Sequence, residues 1–188
     1  MLLADRHDAS RQFSEHLVAL KQKNSVVLAL PRGGVPVGLE STRALEAPLD
    51  LVLVRKIGAP LEEELAIGAI ANGQDPELVT NAQLVADLDI SADYLEAAKS
   101  TALQEIERRR RVYLGNRQPV GVVGRTAIVV DDGLATGATM LAAVRTIRRR
   151  NPARIVLVVP VASNKSCSHV GQACIKRSFE TMIHAGYR

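Results

Sequence analysis

Apolar and polar positions along the chain switch repeatedly between a helical period and short unbroken apolar runs, and the switch points outline the elements. Residues 7–22 place Ala9, Phe13, Leu17 and Leu20 on one helical face, which predicts a docking helix. Ser25 to Leu30 (SVVLAL), bounded by Asn24 and Pro31, predicts a strand buried on both faces. Val35 to Leu45 follows a helical period, and Leu49 to Val54 (LDLVLV) is a second buried run, ending in Arg55 and Lys56. Leu65 to Ala71 and Glu77 to Thr80, on either side of Asn72-Gly73, predict a hairpin excursion. Ser91 suits the N-cap of a long helix reaching about Tyr113, which the Gly- and Pro-rich stretch NRQPVGVVGR then ends. Thr126 to Val130 is a third buried strand, Met140 to Arg150 a helix, and Arg154 to Val161 (RIVLVVPV) a fourth strand. Strands alternating with helices predict an α/β fold, a mostly parallel sheet with helices on both faces. Beyond Ser163 the tail, 164–188, shows no clear period, so the sequence divides into a domain over 1–163 and an atypical C-terminal tail.

Composition narrows the setting more than the fold. At 188 residues, 47% hydrophobic and 23% charged, the chain suffices for one domain with a core. No stretch approaches the roughly 18 uninterrupted apolar residues of a membrane span, and the N-terminus has neither the basic nor the apolar region of a signal peptide. Two cysteines, Cys167 and Cys174, are too few for a disulfide framework, so a reducing, cytoplasmic setting is expected. A net charge of +4 points to anionic ligands, either small phosphates or nucleic acid.

In open parallel sheets ligands bind beyond the carboxyl ends of the strands, where loops enter helix N-termini. The chemistry-bearing residues fall there: Pro31-Arg32-Gly33-Gly34 after the first strand, Arg55-Lys56 after the second, and DDGLATGAT, residues 131–139, after the third. Gly133 and Gly137 permit backbone conformations that aim amides at one point, and Thr136 and Thr139 add hydroxyls at a helix start, so the loop, with Ala135 and Ala138, suits a monophosphate. Asp131 and Asp132 cannot face that phosphate, because like charges at contact distance repel by several kcal/mol. Carboxylates instead accept from a vicinal diol or hold a divalent cation. Arg32, Gly33 and Gly34, joined by Arg55 and Lys56, offer a guanidinium fork, backbone amides and two further cations to a more highly charged phosphate group. A ligand with a 5-phosphate, a diol and a pyrophosphate is phosphoribosyl pyrophosphate, PRPP.

With these residues in view, the chain resembles the type I phosphoribosyltransferases. IVVDDGLATGATM (128–140) is similar to their PRPP-binding motif over its whole length, ALPRGG to their pyrophosphate loop and LVLVRKIGAP to their basic strand end, in the same order. The resemblance spans roughly Asp5 to Ser163 and is strongest to a bacterial branch with a long helix before the last motif. It implies the single-domain phosphoribosyltransferase fold with about five parallel strands, Mg²⁺ carried in with PRPP and touching Asp131 and Asp132 indirectly, and a homodimer. Two departures stand out. Where hypoxanthine-type members carry an acid that handles the base's proton, this chain has Ala135, as the adenine and orotate types have a small residue, so a general base must come from elsewhere. Glu62, Glu63 and Glu64 are the candidates, Glu64 first. The tail, in turn, resembles the family poorly where a further strand and a base-covering hood would be expected.

Other readings have less behind them. IVVDD could be a Walker B strand, but no Walker A loop accompanies it. The run Arg108 to Arg111 could touch nucleic acid, yet Glu105–Arg109 and Glu107–Arg111 are i,i+4 pairs, which predicts a solvated helix face. Cys167, His169, Cys174 and His184 fit no tight zinc spacing. The leading expectation is therefore a pentosyl-transfer enzyme with Asp131, Asp132, Lys56 and Glu64 at its chemistry. A PRPP-sensing regulator that binds nucleic acid, or an inactive family member, is the alternative.

Overall fold

The computed structural model describes residues 24–72, 76, 78–134, 137–162 and 179–186. Along the chain these form β1 (Ser25–Ala29), α1 (Gly34–Leu45), β2 (Leu49–Leu51), β3 (Val54–Ala59), β4 (Glu62–Ala71) and β5 (Leu78–Thr80). Next come α2 (Ala82–Asp87), α3 (Ala92–Leu114), β6 (Thr126–Val130), β7 (Gly133–Leu134), α4 (Ala138–Arg149), β8 (Arg154–Ala162) and β9 (Phe179–Gly186). The helix expected over 7–22 lies outside the described residues.

The described residues fall into two units. One is drawn from Met1–Val52, Pro119–Gly137 and Ile147–Arg188, the other from Leu53–Gln118 and Ala138–Thr146. The first holds a parallel sheet in the order β2-β1-β6-β8, with β7 and β9 both paired to β8. Every residue of β1 and of β6 is buried, as strands covered on both faces must be. On one face Val27, Ile128, Val130, Val156 and Val158 pack with Val37 and Leu45 of α1. The α/β fold with a parallel sheet flanked by helices is therefore as the apolar runs predict.

A buried acid anchors the approach to β6. Asp50 in β2, 3% exposed, accepts from the backbone N–H of Leu51 at 2.9 Å and of Val120 at 2.8 Å. Arg150 donates to the Val120 carbonyl at 2.8 Å; burial pushes its guanidinium pKa down, and the charge of Asp50 pushes it back up. The loop before β6 is thus held through its backbone by charged side chains.

The second unit contains the antiparallel sheet β3-β4-β5. The hairpin expected around Asn72 is present as β4 and β5, with Gly68 opposite Thr80. The run LDLVLV, however, is not the single strand expected. Val52 N–H still donates to Ala29 O at 3.0 Å, but Leu53 N–H donates to Asn72 Oδ1 at 2.7 Å and Leu53 O accepts from Asn72 N–H at 2.8 Å. Asn72 thereby captures the backbone at Leu53 and starts β3 in a different sheet. Arg55 and Lys56 consequently lie inside β3, opposite Ile70 and Ala69, and not beyond the end of a parallel strand.

Helix α3 begins where Ser91 Oγ accepts from Tyr94 N–H at 3.2 Å and stops at Gly115, whose φ of 54° an L side chain disfavours. Of its 23 residues only Ala102 and Ile106, one turn apart, are buried. Its arginine run is a solvated face, as expected: Glu105 pairs with Arg108 at 2.7 Å and Arg109 at 2.8 Å, and Glu107 with Arg110 at 2.9 Å and Arg111 at 3.3 Å. Hydrogen bonds from Arg108 and Arg109 lower the Glu105 carboxyl from the ordinary 4.5 to about 2. Because the folded value is the lower one, whatever these exposed, salt-screened pairs contribute is present above pH 4.5 and fades as pH falls toward 2. An NMR titration of the Glu105 carboxyl is expected to show a midpoint of about 2, rising toward 4.5 when Arg108 and Arg109 are both changed to Gln.

The tail also differs from expectation. Its end, Phe179–Gly186, forms β9, parallel to β8 with Leu157 opposite Met182 and Val158 opposite Ile183. The segment has no clean alternation because a strand in a parallel sheet need not alternate, and its register on β8 shifts twice.

Candidate active site

Two of the three expected loops meet at the end of β6. Leu30 N–H donates to Val130 O at 2.9 Å, and Gly34 N–H turns back to Leu30 O at 2.9 Å, which folds Pro31-Arg32-Gly33 tightly across the strand end. The Pro31-Arg32 peptide is cis. A Cβ added to Gly33 would overlap the carboxylate of Asp132. One added to Gly34 would overlap the carbonyl oxygen of Val130 and lie 3.0 Å from Asp131 Cα. Two adjacent glycines thus let the loop touch the acidic pair. Arg32 is exposed beside them, and Asp131 and Asp132 are both partly exposed.

The reason strand β6 gives way to these acids lies in its neighbour. Asp131 N–H still donates to Val158 O, at 3.2 Å, as a ladder residue would. In a parallel ladder the next bond would run from the N–H of residue 160 to the Asp131 carbonyl, but residue 160 is proline and has no N–H. The pairing lapses over Asp131 and Asp132 and resumes at Gly133, opposite Val161, in the same register as Val130 opposite Val158. Freed from the ladder, Asp132 N–H donates to Asp131 Oδ1 at 2.9 Å. Pro160, within an otherwise apolar run, is the sign of this break in the sequence.

Past β7 the chain enters α4. Ala135 and Thr136 lie outside the described residues. Gly137 stands at the cap with φ 82°, and no side chain caps the helix, whose first turn contains Ala138 and a partly exposed Thr139. Such an end presents N–H groups and the positive pole of the helix dipole to an anion.

Arg55, Lys56 and Glu64 belong to the second unit, on the β3–β4 hairpin, and all three are exposed. As successive strand residues, Arg55 and Lys56 alternate in direction. The first unit brings together Arg32, Gly33, Gly34, Asp131 and Asp132. For a metal, the two adjoining, partly exposed carboxylates suit Mg²⁺, which takes one or two carboxylates and completes its shell with water and substrate oxygens. Among the described residues no three His, Cys, Asp or Glu side chains gather into a cage.

The model of the phosphoribosyl transferase domain matches residues 3–186, both units and the tail included. The chain belongs to the phosphoribosyl transferase family. Two proteins of Mycobacterium tuberculosis, from strains CDC 1551 / Oshkosh and H37Rv, each named "Putative phosphoribosyl transferase", are 43% identical over 160 residues. That stretch is 85% of this chain and 36% of theirs, so the chain spans about a third of the curated relatives it matches. Among solved structures, the protein TT1426 from Thermus thermophilus is 34% identical, with a TM-score of 0.75 over 98% of this chain and 85% of that one. A purine phosphoribosyltransferase from Pyrococcus horikoshii, 12% identical with a TM-score of 0.51 over 96% of this chain and 86% of its own, shares the fold. The family match runs past Ser163, where the resemblance read from motifs stopped. No helix among the described residues is long and apolar enough to cross a membrane.

Proposed function

We propose that this chain binds PRPP with Mg²⁺ and transfers its phosphoribosyl group to a nitrogenous base, releasing pyrophosphate. The observation that carries this is the contact of Gly33 and Gly34 with the Asp131–Asp132 strand end, which puts a diphosphate-type loop and a diol-type acid pair side by side. Asp131 and Asp132 grip the ribose hydroxyls; Gly133 through Thr139, with Ala135, Thr136, Gly137 and Ala138 between, cradle the 5-phosphate. Arg32, Gly33 and Gly34, with Lys56, hold the departing diphosphate. Mg²⁺, reached by Asp131 and Asp132 through the bound substrate, would offset charge on the leaving diphosphate. At C1 the bond to the diphosphate oxygen breaks with its electron pair, a bond to the base nitrogen forms, and the base's proton passes to Glu64. The protein contributes mainly positioning and charge stabilisation. A homodimer rests on the family resemblance alone, and a cytoplasmic setting on the sparse cysteines.

The test is pyrophosphate release from PRPP and Mg²⁺ across a panel of purine and pyrimidine bases. Release with one base and not without it is expected. PRPP binding with no release from any base would turn the assignment to a sensor, and no PRPP binding at all would remove it.

A further inference from the structure

The β3–β4 hairpin leaves register beside its acidic tip. Up to Ile57, opposite Gly68, the strands pair one to one; the next partners are Gly58 with Ala66 and Ala59 with Glu62. While β3 advances two residues, β4 covers six, and the surplus includes Glu63, Glu64 and Leu65. This surplus folds directly over Gly58, where an added Cβ would overlap the carbonyl oxygen of Glu63 and come within 2.6 Å of its Cα. At the same residue Tyr94 reaches in from α3 and donates its hydroxyl to Gly58 O at 2.9 Å. Tyr94 is itself fixed, because its N–H is the one capped by Ser91. The tip beyond is fully solvated, with Leu61 wholly exposed. Gly58 is thus held at its carbonyl by the Tyr94 hydroxyl and covered by the Glu63 backbone, with Glu64 the next residue.

We propose that Tyr94 is a positioning residue for transfer: its hydroxyl fixes the bulge that presents Glu64 to the proton of the acceptor base. This rests on the transfer activity proposed above and adds a residue that no motif marks. The decisive variant is Tyr94→Phe, which removes one hydrogen bond and keeps the ring. A protease that cuts after glutamate is expected to cleave its tip, at Glu62 to Glu64, about fivefold faster than in the parent chain, as loss of one neutral hydrogen bond implies. Cleavage after Glu105 and Glu107 of α3 stays at the parent rate, which a general loss of stability would not allow. Gly58→Ala, pushing the Glu63 backbone away, raises tip cleavage as well. In pyrophosphate release, Tyr94→Phe lowers kcat about fivefold and leaves the KM for PRPP within about twofold. In a Glu64→Gln background it has no further effect. Tip cleavage at the parent rate, or kcat losses that multiply in the double variant, overturns the proposal. A parent chain that releases no pyrophosphate overturns the transfer activity and the positioning role with it; the protease comparison, which needs no substrate, still decides whether Tyr94 holds the tip.

Discussion

Titration of PRPP with Mg²⁺ into the Asp131→Asn, Asp132→Asn double variant is expected to give no measurable binding heat under conditions where the parent chain saturates. Each carboxylate that accepts from a sugar hydroxyl makes a charge-assisted bond worth about 1.5–3 kcal/mol, so losing both lowers affinity by about 10²- to 10⁴-fold. The direction matters as much as the size. PRPP is a polyanion, and acids that merely stood near its phosphates would repel it; neutralising them would then tighten binding. Only carboxylates engaged with hydroxyls or a cation produce a loss. The fold should tolerate the change, because Asn keeps an Oδ1 that can accept from residue 132 N–H, as Asp131 does at 2.9 Å. A melting temperature close to that of the parent is the control. Affinity retained within about tenfold, or improved, would sink the assignment of this pair.

How far the chain could be read in advance follows from how local each determinant is. The buried runs at β1, β6 and β8 stood out because strands covered on both faces have no solvent-facing side to impose alternation, and Ser91 marked the start of α3 because an N-cap needs only its own helix. The acidic pair and the glycine pair were visible for the same reason. What was missed depends on partners distant in sequence. LDLVLV looked continuous, and only the capture of Leu53 by Asn72, 19 residues on, divides it between two sheets. The break at Asp131–Asp132 depends on Pro160, 29 residues away along the chain and adjacent in space. Tyr94, 36 residues from Gly58, bears no motif, and its hydroxyl becomes informative only against the bulged hairpin. The strand β9 was hidden for another reason: without alternation an edge segment of mixed polarity looks like tail. The phosphate loop itself was legible in composition, yet its geometry at Ala135 and Thr136 lies outside the described residues.

Alanine at Gly33 and alanine at Gly34 are expected to fail in opposite ways, although the two residues are neighbours and the substitution is the same. Gly33 is at φ −62°, an ordinary helical conformation, so alanine there meets no backbone penalty and would by itself lower unfolded-chain entropy. Its methyl lands on the Asp132 carboxylate, the far end of a side chain, which can shift where backbone cannot. Gly33→Ala should therefore melt near the parent temperature while losing at least about tenfold in PRPP affinity, because the displaced carboxylate no longer meets the ribose. At Gly34 the methyl meets the carbonyl oxygen of Val130 and stands 3.0 Å from Asp131 Cα and 3.1 Å from the Val130 carbonyl carbon. Those atoms are backbone, pinned by Leu30 N–H to Val130 O at 2.9 Å and by Asp131 N–H to Val158 O at 3.2 Å in the middle of the parallel sheet. Nothing there can yield without parting β1 from β6 or β6 from β8. Gly34→Ala is expected to cost about 3 kcal/mol, a drop of about 6–12 °C in Tm for a chain of this length. Thermal melts and PRPP calorimetry on both variants separate the cases. A Gly34→Ala protein as stable as the parent would mean that the loop does not lie against the strand end, and the contact on which the binding site is built would be lost with it.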